Sequence, residues 1–179
     1  VSGMWLSTGI TAAIHQRTAT GKGQKVDTSL LASVVGMLCV QGQRYLSLGE
    51  VPGRVGNEHP VIYPYGAFRA SDALVNIAAA NQAQWRKLCD TLGLSHLIDD
   101  PDFADNTARD RNRDRLRALL NEKLAAKTAI EWSRELMEAG IPAGPVYDLG
   151  QMFNDPQVQH QGMVETITHP VIGDLAQLS

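Results

Sequence analysis

The chain has 179 residues, 44% of them hydrophobic and 20% charged, and 16 basic against 19 acidic side chains leave a net charge of −3. That balance is ordinary for a globular protein with a core and excludes a basic nucleic-acid footprint. No apolar run approaches the roughly 18 residues that span a bilayer, and Val1 leads into Ser-Gly rather than a basic leader, so a cytoplasmic protein is expected.

The spacing of Met4, Ile10, Ala13 and Ile14 predicts a helix over 2–19, whose many small residues suggest close packing against a neighbour. The two glycines of "TGKGQ" make a turn, and "QKVDTS" is short with one β-branched residue, Val26, so a brief strand is expected there. Asp27 or Thr28 is the expected cap of a helix from Ser29 to about Leu48, with Leu30, Leu31, Val34, Val35, Leu38 and Cys39 on its apolar side. A long loop, Gly49 to Pro64, comes next, and long ordered loops are often functional. "YGAFRA" and "LVNIAAA", joined by "SDA", read as a hairpin. Asn81 is placed to cap a helix that stops at Gly93. A further helix is expected from about Thr107 to Lys127, its charges on a solvated face. Thr128 and Glu131 form a capping-box pattern for the next helix, which ends at Gly140. The remainder is rich in Gly and Pro, with helical turns near 148–153 and 156–160 and one or two closing strands. No internal repeat or low-complexity tract stands out. Segregated strands and helices predict an α+β fold for the middle of the chain. The apolar faces of the first fifty residues have too few partners in the rest of the chain.

Cys39 and Cys89 lie far apart without a C-x-x-C spacing, so both read as buried small apolar side chains. His96, His160 and His169 lack metal-ligand spacing. Asp99, Asp100 and Asp102 surround Pro101 as turn formers and caps. No metal is expected.

Five stretches in order, "TGKGQKVDTSLLAS", "GRVGNEHPVIYPYGAFRASD", "WRKLCDTLGL", "DPDFADNTARDRNRDRL" and "AGIPAGPVYDLGQMFNDPQVQHQGMV", resemble the family III CoA-transferases, the group of carnitine, bile-acid and formyl-CoA transferases. The resemblance covers nearly the whole chain. It implies a large Rossmann-like domain built from both ends of a longer chain, a small α+β domain inserted between them, and two interlocked subunits. Residues 1–50 would then be the end of a large-domain segment with linker helices, 51–165 the small domain, and 166–179 the return toward a large domain mostly absent here.

The chemistry the resemblance implies is nucleophilic. An aspartate attacks an acyl-CoA thioester, coenzyme A leaves, and a carboxylic acid acceptor exchanges through an aspartyl anhydride and an aspartyl-CoA thioester. That aspartate is expected just upstream of Val1. Neither Asp27 nor Asp72 matches its place, so the chain alone is expected to be inactive. Asn57, His59, Tyr63, Tyr65 and Asn81 are the candidates for lining the substrate pocket. For four of them a structural role stands beside this one: a positive-φ turn for Asn57, a loop-fixing hydrogen bond for His59, packing on the hairpin for Tyr65, a helix cap for Asn81. The resemblance leaves open an α-methylacyl-CoA racemase-like parent, which tends to carry a glutamate where Asn81 and Gln82 stand. An amide cannot move the proton that racemisation requires. A non-catalytic small domain is the third reading. Whether the acid is a short dicarboxylate or branched is open.

Overall fold

The computed structural model describes residues 1–178. The last position of the expected 166–179 segment, Ser179, lies outside them. The chain divides into two compact units, Val1–Arg54 and Val55 onward.

The first unit is helical. Helix α1 (Ser2–Thr20) ends where Gly21 takes the left-handed conformation and donates its N–H to the Arg17 carbonyl. The return stretch 24–28 is irregular and forms no strand, because a lone Val26 has no partner strand to pair with. It lies against α1 so closely that a Cβ on Gly9 would stand 2.7 Å from Val26 Cγ1. The cap of the next helix is Ser29, not Asp27 or Thr28; its side chain accepts from the Ala32 N–H. The expected single helix over 29–48 is two, α2 (Leu30–Gly36) and α3 (Cys39–Leu48), separated at Met37–Leu38, with Cys39 at φ +39°. Cys39 is exposed, contrary to its expected burial. It stands at the break rather than on a packed helix face. Leu30, Leu31, Val34 and Val35 are more than half exposed, and Ser33 is the one buried residue of this unit among the described residues.

The second unit holds the core. Strands β1 (Tyr65–Arg69), β2 (Leu74–Ala78) and β3 (Ala143–Pro145) make an antiparallel sheet in that order, with Phe68 opposite Val75 and Asn76 opposite Gly144. Alternation along β1 and β2 buries Phe68, Val75 and Ile77 on one face. Helix α4 (Gln82–Thr91) places Trp85, Leu88 and Cys89 inward at helical spacing, under its Asn81 cap. The expected 107–127 helix is also two pieces, α5 (Asn106–Arg111), capped by Asp105, and α6 (Arg113–Leu124), broken at Asn112. Leu116, Leu120 and Leu124 line the inner face of α6. Helix α7 (Ala129–Glu138) starts with the expected reciprocal capping box of Thr128 and Glu131 and buries Trp132 and Leu136. Each fully buried large apolar side chain contributes about 1.5–3 kcal/mol. α6 packs on β1, and α7 on β2 and β3.

Both outer edges of this sheet are occupied by side chains. Arg117 donates to the Ala67 carbonyl at 3.2 Å, Asn121 accepts from the Arg69 N–H at 2.9 Å, and Ser133 donates to the Ala143 carbonyl at 3.2 Å. Short helices α8 (Leu149–Phe153) and α9 (Pro156–His160) fall where helical turns were expected, and β4 (Val164–His169) and β5 (Gly173–Leu178) close the chain as an exposed antiparallel hairpin. No helix among the described residues is long and apolar enough to cross a membrane.

Candidate functional site

Residues 55–64 have no regular structure, and the reason they hold a fixed path lies in the side chains of α5 and α6. Asn106 clamps the backbone from both sides: its amide nitrogen donates to the Val61 carbonyl at 2.8 Å, and its oxygen accepts from the Tyr63 N–H at 3.0 Å. Arg109 Nε donates to the Tyr63 carbonyl at 2.9 Å. The Glu58 carboxylate pairs with Arg113 at 2.7 Å and with Arg117. The Pro64 carbonyl, past a cis Tyr63–Pro64 bond, accepts from the Ala79 N–H at 3.0 Å. The segment lies flat on β1 because Gly66 has no side chain there. A Cβ at Gly66 would stand 3.0 Å from the Asn57 carbonyl and 3.2 Å from Glu58 Cα.

Within this frame His59 is fixed at three points. Its N–H donates to the Tyr65 carbonyl at 2.9 Å. Its Nδ1 accepts from the N–H groups of Val61 at 3.1 Å and Ile62 at 2.9 Å. Its ring stacks on Tyr65, centroids 5.2 Å apart and planes 24° from parallel. Asn57 is exposed, and the positive φ of this turn, +60°, falls on Gly56. Tyr63 is wholly buried between Phe68 and the Arg113 guanidinium, which lies 5.0 Å over its ring. Its hydroxyl has no partner among the described residues, and burial pushes its ionisation well above the ordinary tyrosine range. Asn81 accepts from the Gln84 N–H at 2.9 Å as the α4 cap. The structure therefore brings His59 and Tyr65 together, sets Tyr63 in the core against Phe68 and Arg113, and gives Asn81 to a helix end.

Sequence reasoning missed the residues that build this frame: Glu58, Asn106, Arg109, Arg113 and Arg117. The three arginines recur every fourth residue, a helical signal, but their charge led to the expectation of a solvated face. Arg109 is instead 2% exposed. Its guanidinium lies 4.9 Å over Trp85 and donates to the Gln82 side chain at 3.1 Å and the Phe103 carbonyl at 3.0 Å. Burial lowers its pKa, and the charge of Asp105 acts in the opposite direction. The aromatic faces supply what water would have given these cations. Burial also pushes the Cys89 thiol up to about 12, keeping it an unreactive core group.

Asp72, Asp27 and Asp100 are occupied locally. Asp72 accepts from the Ala129 N–H at 2.8 Å, and Asp27 pairs with Lys25 at 3.0 Å on the surface. Asp100 accepts from the Asp102 N–H at 2.9 Å as a turn former. Among the described residues no three His, Cys, Asp or Glu side chains gather to hold a metal ion. Open apolar concavities lie elsewhere, one of about 410 Å³ lined by Leu38, Gln41, Gly42, Tyr45, Val51 and Pro52.

A sequence model of CoA-transferase family III matches residues 1–179. An acetyl-CoA:oxalate CoA-transferase of Acetobacter aceti is 33% identical over 90% of this chain and 42% of its own length. A succinyl-CoA:glutarate CoA-transferase of Mus musculus is 34% identical over 98% of this chain and 40% of its own. The crystal structure of Rv3272 from Mycobacterium tuberculosis superposes with a TM-score of 0.85 at 25% identity, covering 99% of this chain and 46% of that one. The chain thus spans less than half the length of these relatives.

Proposed function

This chain belongs to CoA-transferase family III, and we propose that it forms part of an enzyme that moves coenzyme A from an acyl-CoA to a carboxylic acid. The observation that carries the proposal is the family match along the whole chain, together with relatives whose names each pair an acyl-CoA with a dicarboxylate. A short dicarboxylate is therefore the proposed acceptor.

In the proposed reaction an aspartate carboxylate attacks the thioester carbonyl, the C–S bond breaks and CoA thiolate leaves. The thiolate then attacks the aspartyl carbonyl of the mixed anhydride, freeing the donor acid and forming an aspartyl-CoA thioester. The acceptor carboxylate attacks that thioester, the C–S bond breaks and a second mixed anhydride forms; the released thiolate then attacks its acceptor carbonyl, giving the new acyl-CoA and restoring the aspartate. Covalent capture splits one difficult exchange into easier steps. The nucleophile is proposed to lie upstream of Val1, where the family resemblance puts it; neither Asp27 nor Asp72 stands at that position. The isolated chain is proposed to be inactive, and the active assembly to be a cytoplasmic homodimer. Asn57, His59 and Tyr65 are proposed to face the acyl or acceptor group, with Tyr63 holding their loop from below and Asn81 flanking it at the head of α4.

The test extends the chain upstream and incubates it with succinyl-CoA and glutarate, following glutaryl-CoA by mass spectrometry. Transfer by the extended protein, its loss when the aspartate nearest Val1 becomes asparagine, and no transfer by residues 1–179 is the expected set. An extended protein that turns over no acid, or an asparagine variant that retains activity, overturns the reading.

A further inference from the structure

Four side chains of α5 and α6, Asn106, Arg109, Arg113 and Arg117, pin a ten-residue loop that has no secondary structure of its own. Such support is what a site needs to hold reacting partners in place, and it is costly to build without a use. What the frame displays is a pair of hydrogen-bond donors. Because Nδ1 of His59 accepts two backbone N–H groups, the ring is the neutral tautomer with its proton on Nε2. The Tyr65 ring stacks on that imidazole, centroids 5.2 Å apart, and carries the second donor, a phenol hydroxyl. Neither His59 Nε2 nor the Tyr65 hydroxyl has a hydrogen-bond partner among the described residues, and neither is among the buried unpartnered atoms. The nearest carboxylate in sequence, Glu58, is already taken by Arg113 and Arg117 and cannot compete for them.

We propose that His59 Nε2–H and the Tyr65 hydroxyl form a neutral two-donor clamp for a carboxylate oxygen of the acceptor acid. This rests on the CoA-transferase reading and adds to it the atoms that recognise the acid. A neutral clamp suits an acceptor that must afterwards attack as a carboxylate, because a full counter-charge would hold its electrons back. The arrangement has an internal control. His169 Nδ1 makes the same pair of bonds, to Val171 at 3.2 Å and Ile172 at 3.4 Å, on an exposed hairpin with no stacked phenol described beside it.

The test labels the histidine ring nitrogens of this chain with ¹⁵N and titrates glutarate by NMR. The expected spectrum shows His59 with bare Nδ1 and protonated Nε2. Glutarate then moves the His59 Nε2 signal and leaves His169 in place. Tyr65→Phe, which keeps the ring stack, weakens that response roughly fivefold, the loss of one hydrogen bond. A proton on Nδ1 overturns the clamp. So does a His59 Nε2 signal that glutarate leaves unmoved, or one that moves equally in Tyr65→Phe. None of these results touches the family reading, which stands or falls on transfer by the extended protein.

Discussion

His59-Pro60-Val61-Ile62 and His169-Pro170-Val171-Ile172 are the same four residues in two places. Both fold alike: the histidine Nδ1 accepts the N–H groups two and three residues on, a turn closed by a side chain. Their surroundings differ. The first turn is gripped at Val61 by Asn106, follows Asn57 and Glu58, which lie against Gly66, and runs into the buried Tyr63, whose carbonyl Arg109 holds. The second joins β4 to β5, with Val171 84% and Ile172 64% exposed. Local sequence is enough to write the turn. Tertiary contacts then tie the first copy into the folded unit.

The sharpest way to break this comparison is to remove the buried ring into which the first turn runs. Tyr63→Ala is expected to cost about 3–5 kcal/mol, as for other buried aromatics, read from urea midpoints; a loss no larger than a surface substitution would mean the two turns are equally free. Tyr63→Phe tests the same support by pH. The folded state holds the phenol protonated, its pKa raised, so the stabilisation is full below the ordinary value near 10 and is lost as pH rises toward the folded value. Wild type should therefore lose stability at alkaline pH more steeply than Tyr63→Phe, checked by thermal melts on both sides of that value.

Asn106→Ala leaves two backbone groups of the loop without their partner and should cost about 2 kcal/mol, with faster amide exchange at Tyr63 and none of that change at Ile172. Gly66→Ala pushes the Asn57 and Glu58 backbone off β1 and is expected to cost about 1–3 kcal/mol; a variant as stable as wild type would show that the loop is not seated there. The smallest effects belong to the turns themselves. His59→Ala should cost about 1 kcal/mol and His169→Ala no more than about 0.5 kcal/mol. Equal losses would erase the distinction between them.

The second unit was the more legible part of the sequence. The hairpin of β1 and β2, the α4 cap at Asn81 and the Thr128–Glu131 capping box are local patterns, and each stands where the pattern puts it. β3 escaped because Ala143-Gly144-Pro145 has no strand pattern; pairing with β2 makes it a strand. The breaks at Met37–Leu38 and Asn112 escaped because none of these three residues forbids a helix. The repeated His-Pro-Val-Ile escaped because four residues are too few to mark a structural repeat, although the pair was in plain sight. At the candidate site the family resemblance pointed to Asn57, His59, Tyr63, Tyr65 and Asn81. Their supports sit more than forty residues further on, in α5 and α6, as Asn106 on Tyr63 and Arg117 on Glu58 show. Charge alone misread the arginines, since a guanidinium over an aromatic face is compatible with burial.

The side chains along the margins of the three-stranded sheet carry a further consequence. A bare sheet margin is a template on which another chain can add a strand and start an aggregate. Here the outward Ala67 carbonyl and Arg69 N–H are spoken for by Arg117 and Asn121, and His59 holds the Tyr65 carbonyl. On the far side Ser133 takes the Ala143 carbonyl, and Pro145 has no N–H to lend. The loop that displays His59 thus also shuts one margin of the sheet, so the same contacts that order the candidate site guard the folded unit against growing into fibres.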